Sequence, residues 1–186
     1  LGLKTAPISS HELDFPSVRE MHEASSLTGG EEVASWRGEA LPSAIPAPSD
    51  RLFPLEPYNE NEMPQDAIGP VILRRGSTRR FTHEPVSFAQ LSTILQRATK
   101  GIPADFLEPS GGDLSHIYLI VNAVDGLEPG AYVFHRDHQA LELLEEGSFR
   151  QIAQHLGLDQ ALPADASAAL FLLSDLRKVL ERFGNR

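Results

Sequence analysis

The stretch IYLIVNAVDGLEPGAYVFH, residues 117–135, organises this chain. Its first seven residues, 117–123, form an almost continuous apolar run, which is typical of a buried strand and not of an edge strand. Gly126 and Pro129-Gly130 then mark a turn, and residues 131–135 return as a second strand. The stretch therefore predicts a buried hairpin.

Further helices and strands are predicted on both sides of this hairpin. Ser87 and Gln90 have the spacing of a helix capping box, and Gly101 and Pro103 end the helix that follows. That helix carries apolar residues at positions 91, 94, 95 and 98. The other predicted elements are a strand at 140–144, a buried strand at 168–173, a helix over 149–156, and a last helix capped by Asp175 that bears Leu176, Val179, Leu180 and Phe183. This mixture favours an α+β sandwich, with a mixed or antiparallel sheet flanked by helices, over a doubly wound sheet.

The chain divides into three parts by its sequence pattern. Residues 1–40 carry two helical signals: Pro16 suits a first helical turn, and residues 28–31 have capping-box spacing. Residues 41–70 contain seven of the fourteen prolines, which predicts an extended arm or linker without helix. Residues 71–186 form the patterned domain.

Composition restricts the possible functions. With 186 residues, 41% of them hydrophobic, the chain is long enough for one domain with a core. It has no cysteine, so disulfides, thiolate catalysis and cysteine-ligated metals are excluded. We find no apolar run long enough to span a membrane and no signal peptide, and we expect a cytoplasmic protein with no membrane partner.

The basic residues are concentrated in one place. Residues 74–81, RRGSTRRF, hold four arginines, whereas residues 1–70 carry 12 acids and 4 bases and residues 82–186 carry 14 acids and 8 bases. Arginine suits phosphate because its guanidinium offers a rigid fork of donors. With a net charge of −10 and no broad basic face, the chain is not expected to bind nucleic acid. A solvated basic turn, with Arg80 paired to Glu84, is the alternative to a phosphate site.

Three motifs in order resemble those of a known family. Residues 75–81 look like the Arg-x-Ser-x-Lys/Arg-x-Phe signature of the nitroreductase superfamily. Residues 109–114, PSGGDL, and residues 124–132, VDGLEPGAY, are similar to segments of its SagB-type dehydrogenase branch. The resemblance implies a nitroreductase-like sandwich that forms an intertwined dimer and binds FMN, and it allows for NAD(P)H as the reductant.

Site residues follow from the resemblance. Arg75 and Ser77 are expected near the phosphate and ribityl chain, and Arg79 near the pyrimidine edge of the flavin. Gly76 lies within this cofactor-binding segment, where relatives often carry a side chain. The resemblance does not name catalytic residues for this chain.

A second segment is expected to reach the flavin from the other subunit. It consists of Pro109, Ser110 and Gly111, whose small side chains let the backbone approach the ring. Without the resemblance, this segment is simply a turn.

The resemblance covers only the N-terminal half of the family's domain. Residues 181–186 look like a "K-Y-G-x-R" segment that normally lies near the middle of that domain. We therefore expect a nicked or split fragment, completed by a homodimer partner or a complementary chain. Arg182-Phe183 replaces the Lys-Tyr of azoline-oxidising relatives, which weakens azole formation as the reaction.

The sequence thus predicts an FMN-dependent oxidoreductase that transfers hydride through the flavin by a ping-pong mechanism. Its substrate would be a small molecule or a peptide. One alternative is a non-catalytic half-domain that acts as a structural or dimerisation module, and another is a sensor of a phosphate-bearing ligand.

Other candidate side chains have weaker signals. His135 and His138 could chelate a metal by their spacing, but two solvated turn histidines are the preferred interpretation, and no metal site is predicted. His22 and His83 have no partner at a recognisable spacing. Ser110 lacks the Gly-x-Ser-x-Gly context of a hydrolase nucleophile.

Overall fold

The computed structural model describes residues 6, 9–11, 13–37, 48–49, 51–101 and 115–184. In chain order, the helices and strands are α1 (Pro16–Ser25), α2 (Gly30–Arg37), β1 (Leu52–Pro54), α3 (Ile68–Arg74), β2 (Val86–Ser87), α4 (Phe88–Ala98), β3 (His116–Val121), β4 (Val124–Asp125), β5 (Gly130–His135), β6 (Ala140–Glu146), α5 (Arg150–Leu156), α6 (Ala161–Asp165), β7 (Ala168–Leu173) and α7 (Leu176–Phe183). The chain divides into two compact units, one formed by residues 1–39 and 176–186 and the other by residues 40–175. Within the described ranges, every helix is too short or too polar to span a bilayer.

The larger unit is built on a five-stranded sheet in the order β1-β6-β5-β3-β7, and each neighbouring pair is antiparallel. β2 and β4 form a separate parallel pair. The mixture of these strands with helices confirms the predicted α+β class.

Helix α4 supplies the core on one face of the sheet. Its side chains Leu91 and Leu95 are buried in one cluster with Leu119, Tyr132 and Leu141 of the strands. The capping box that begins the helix is formed as predicted, since the Ser87 hydroxyl accepts from the Gln90 N–H and the Gln90 side chain accepts from the Ser87 N–H. The helical face is narrower than predicted, because Ile94 is exposed.

The turn between β3 and β5 follows the predicted pattern. Gly126 has a φ of +92°, which L-residues rarely adopt. Gly130 lies so close to β6 that an added Cβ would be 2.6 Å from the Glu145 carbonyl oxygen. Leu127, which lies between these two glycines in the sequence, is buried. These contacts give the VDGLEPGAY segment a structural role.

Strand β7 is present where it was expected, but its predicted burial is wrong. The exposed fractions of Leu170, Leu172 and Leu173 are 40%, 67% and 52%. β7 pairs with β3 along one edge, and in the described part of the chain no strand pairs with its other edge. An apolar run indicates burial only where neighbouring elements cover the strand, and the run itself does not specify them.

The described part of the arm, residues 48–49 and 51–70, belongs to the larger unit and contacts its sheet and α4. β1 adds to the edge of β6, and the ring of Phe53 contacts that of Tyr132 edge-on at a centroid distance of 5.9 Å. The Tyr58 N–H donates to the Thr93 hydroxyl of α4 across 2.9 Å. The proline content predicts that the arm contains no helix, and this prediction is wrong at its end, where α3 begins at Ile68. The helix forms because Pro70 lies in its first turn, where proline is tolerated.

The smaller unit contains α1, α2 and α7. Pro16 begins α1 as predicted, and its apolar residues Val18 and Met21 are exposed. The prediction of a capping box at residues 28–31 is wrong, because the carboxylate of Glu32, not that of Glu31, accepts from the Thr28 N–H and hydroxyl. The reason is that α2 begins at Gly30, which shifts the capping position by one residue.

Candidate functional site

The four arginines of the sequence motif lie at the end of α3 and in the loop that follows it. Arg75 is the residue that caps α3, and its N–H donates to the Val71 carbonyl. From there to residue 85 the backbone forms neither helix nor strand, and the side chains are exposed. We call residues 75–81 the basic loop.

Three of these arginines have no anionic partner among the described residues. Arg74 forms an ion pair with Asp66, with 2.9 Å between Nη1 and Oδ1. Within the described ranges, no acidic side chain pairs with Arg75, Arg79 or Arg80. The predicted Arg80–Glu84 pair is therefore wrong, since residues four apart become neighbours in a helix and this segment is not helical. The basic loop thus presents positive charge to solvent.

Gly76 and Ser77 lie between these arginines. A Cβ added at Gly76 would meet no atom within 4 Å, so packing inside the chain does not require glycine there. Ser77 is exposed. The backbone and hydroxyl of this pair are consequently accessible to a ligand.

An apolar cavity of about 600 Å³ adjoins the basic loop. Phe81, the last residue of the loop, lines it, together with Ile94 of α4 and Leu170 of β7. The other lining residues are Tyr58, Glu62, Met63, Pro64, Val86, Gln90, Leu91, Thr93, Ala166, Ser167 and Ala168. Among the described lining residues there is no lysine or arginine, and the carboxylate of Glu62 is the one charged group.

The segment after the basic loop is tied to the junction between α6 and β7. The Nε2–H of His83 donates to Oδ1 of Asp165 across 2.6 Å, and the Ser167 hydroxyl donates to the Glu84 carbonyl across 2.8 Å. The sequence shows no partner for His83 at a recognisable spacing, and the structure supplies one. Its partner is 82 residues away along the chain, so no local spacing could have revealed it.

Several predicted site residues lie outside the described residues. These are Pro109, Ser110 and Gly111, the segment expected to approach a flavin from the other subunit. The side chains of Arg182 and Phe183 are likewise not described, although both residues belong to α7.

The histidine pair at the end of β5 differs from its prediction. His135 is buried, and its Nε2 lies 2.6 Å from Oε2 of Glu142, so it is not a solvated turn histidine. The strand continues through residue 135, which places this ring in the sheet. His138 is exposed, as predicted. Within the described ranges, no group of three or more histidine or acidic residues is arranged to hold a metal ion.

The chain is similar to a solved structure. The chain matches the crystal structure of a putative nitroreductase from Anabaena variabilis ATCC 29413, with 28% sequence identity and a TM-score of 0.50. The fold is similar to that of a nitroreductase. The match covers 61% of this chain and 24% of that chain, so it spans about a quarter of the relative. No family model matches, and the search of curated proteins finds no match.

Proposed function

We propose that this protein is an FMN-dependent oxidoreductase that transfers hydride through the flavin by a ping-pong mechanism. The observation that carries this proposal is the basic loop on a nitroreductase-like fold: three of its arginines have no acidic partner among the described residues, and its last residue, Phe81, lines an apolar cavity. A ligand with a phosphate at one end and an aromatic ring system at the other matches both features.

The basic loop fits the phosphate of FMN. Arg75 and Ser77 would hold the phosphate and ribityl chain, and Arg79 the pyrimidine edge. Each guanidinium offers paired donors to oxygen, and within the described part of the chain no acidic side chain competes for them. The exposed backbone at Gly76 leaves space for the ligand.

The apolar cavity fits the ring system of the same ligand. Arg79 and Phe81 are two residues apart, so their Cα atoms are separated by at most about 7 Å. Positive charge and apolar surface therefore lie within the dimensions of one small ligand. The cavity volume of about 600 Å³ is within the usual range for such ligands.

Bound flavin would supply the hydride chemistry, and the protein would bind, orient and tune it. A guanidinium at the pyrimidine edge stabilises negative charge that develops there, which is the role we assign to Arg79. A flavin ring bound against the apolar lining would displace water from that surface. The described lining residues carry one charge, that of the Glu62 carboxylate, and include no basic side chain, so the cavity favours a neutral substrate over an anionic one.

We further propose membership of the SagB-type branch and assembly as a homodimer or with a complementary chain. The motifs at residues 109–114 and 124–132 support the branch. The exposed leucines of β7 support assembly, since such a surface is stabilised when another polypeptide covers it. In that assembly, Pro109, Ser110 and Gly111 would approach the flavin from the partner, and NAD(P)H would be a reductant.

The proposal is tested by the visible absorption of the purified protein together with any chains that co-purify, before and after adding FMN. We expect a flavin spectrum that anaerobic NAD(P)H or dithionite bleaches. Arg75→Ala and Ser77→Ala should each raise the Kd for FMN about tenfold, a loss of about 1.4 kcal/mol. Arg51→Ala, which removes an exposed arginine near Glu146, is the matched control and should leave this Kd unchanged.

Two results would contradict the proposal. A colourless protein that takes up no added FMN would favour the structural or dimerisation module. Tight FMN binding that no reductant or oxidant can cycle would favour a sensor of a phosphate-bearing ligand.

A further inference from the structure

We propose that the contact between His83 and Asp165 is a latch that holds the basic loop beside the cavity, which makes both side chains positioning residues for phosphate binding. The assignment of a phosphate ligand to the basic loop rests on the proposed function above. The latch itself rests on contacts within the chain.

The latch joins a segment without regular structure to a region that is firmly held. Between the cap of α3 at Arg75 and the start of β2 at Val86, two hydrogen bonds among the described residues join this segment to the rest of the unit, and both reach the same place. They are the His83–Asp165 hydrogen bond and the bond from the Ser167 hydroxyl to the Glu84 carbonyl. One attachment reaches Asp165, the last residue of α6, and the other reaches Ser167 in the two-residue junction between α6 and β7.

That junction is fixed by the end of β3. The backbone N–H groups of Asn122 and Ala123 both donate to the Ser167 carbonyl across 2.9 Å. The Asn122 side chain donates to the Ala166 carbonyl, also across 2.9 Å. A loop attached here is attached to the central sheet, because β3 pairs with strands on both sides.

The backbone of His83 indicates that the attachment is maintained. Its φ is +64°, in the left-handed region that non-glycine residues adopt infrequently. Such a conformation persists where surrounding contacts hold it, and it is common at functional loops. The hydrogen bond to Asp165 and the neighbouring bond at Glu84 supply those contacts.

The same junction also forms part of the cavity. Ala166, Ser167 and Ala168 line the cavity, and so does Phe81 at the end of the basic loop. The latch therefore sets the position of the arginines relative to the apolar surface. A loop that is already positioned loses less conformational entropy when its ligand binds, so its affinity is higher.

The test uses Asp165→Ala, which removes the acceptor, and Asp165→Asn, which keeps an oxygen that can accept from His83. The control is His155→Ala, which breaks a second His–Asp contact, to Asp159 at 3.2 Å, outside the site. Limited trypsin digestion, followed by mass spectrometry, reports cleavage after Arg75, Arg79 and Arg80 relative to cleavage after Arg136. This readout needs no flavin, and a fluorescence titration gives the Kd for FMN.

We expect Asp165→Ala to speed cleavage in the basic loop at least threefold relative to Arg136 and to raise the Kd for FMN about fivefold. Asp165→Asn should remain within twofold of the wild type in both readouts, and His155→Ala should change neither. Equal acceleration at all sites would mean general unfolding and would overturn the latch, as would unchanged loop cleavage in Asp165→Ala. If the wild type binds no FMN while loop cleavage responds as expected, the latch stands and the proposed function fails.

Discussion

The phenol hydroxyl of Tyr132 donates a hydrogen bond to the backbone carbonyl of Glu128, and the two oxygens lie 2.6 Å apart. The ring is buried in the core, whereas Glu128 lies in the exposed turn between β4 and β5. The bond therefore ties the turn to the sheet. Burial raises the pKa of Tyr132 to about 12, with the nearby charge of Glu128 as the next cause.

Tyr132→Phe should lower the free energy of unfolding by about 1 kcal/mol near neutral pH, because the hydrogen bond is lost while the ring is kept. The raised pKa means that the folded state holds the phenol proton more tightly than the unfolded state. The contribution of the protonated Tyr132 phenol to the free energy of unfolding is thus complete below pH 10 and is lost as the pH rises from 10 to about 12. Denaturant unfolding at several alkaline pH values should show a steeper loss for the wild type than for Tyr132→Phe. Tyr118→Phe is the control for removing a phenol outside this bond, and parallel curves for wild type and Tyr132→Phe would refute the prediction.

Gly130→Ala should destabilise the protein by about 2 kcal/mol, because overpacking a close contact forces the backbone to shift. The added Cβ would lie 2.6 Å from the Glu145 carbonyl oxygen and 2.8 Å from Cδ1 of Leu143. Gly76→Ala is the matched control, since open space surrounds that position, and it should change stability by less than about 0.5 kcal/mol. Thermal unfolding followed by circular dichroism measures both, and similar melting temperatures for the two variants would count against the β5–β6 contact.

Ser92→Ala should be neutral or should stabilise by up to about 1 kcal/mol. Ser92 is fully buried, and its hydroxyl has no hydrogen-bond partner among the described residues. The neighbouring Thr93→Ala is the comparison, because the Thr93 hydroxyl accepts from the Tyr58 N–H and donates to the Ala89 carbonyl. It should cost about 1 kcal/mol in urea unfolding. A clear loss of stability in Ser92→Ala would show that its hydroxyl has a partner after all.

Glu142→Gln should cost roughly 2 kcal/mol at neutral pH, since hydrogen bonds to a charged group are lost. The Glu142 carboxylate accepts from the Ser49 N–H and from His135. The hydrogen bonding from Ser49, and then that from His135, lowers the pKa of Glu142 against the opposing effect of burial. The carboxylate therefore stabilises the fold above pH 4.5, and this contribution is lost as the pH falls below that value.

The corresponding measurement is unfolding in urea between pH 3 and pH 7. The wild type should lose stability in the acid range more steeply than Glu142→Gln. Glu145→Gln, at an exposed position on the same strand, should follow the wild type. If Glu142→Gln shows the same acid loss as the wild type, this carboxylate does not anchor the arm.

Local signals in the sequence predicted most of the elements of the larger unit. The Ser87–Gln90 capping box, the apolar run of β3 and the turn at Gly130 were all found where expected. Each depends on interactions within a few residues, so the pattern contains the needed information. The concentration of arginines in residues 74–80 was likewise visible in the chain, and binding of FMN by the basic loop stays a prediction.

The sequence by itself determined where α4, β3, β5, β6 and the basic loop lie, because capping, periodicity and charge are local properties, whereas α3 and α6 were not predicted. Only the tertiary structure decided that His83 meets Asp165, that the leucines of β7 are exposed and that His135 is buried against Glu142. It also brought Phe81, Ile94 and Leu170 together around one cavity. These relationships depend on the order of strands in the sheet, which brings together residues far apart in the chain, such as His83 and Asp165 at 82 positions, and leaves no short-range pattern.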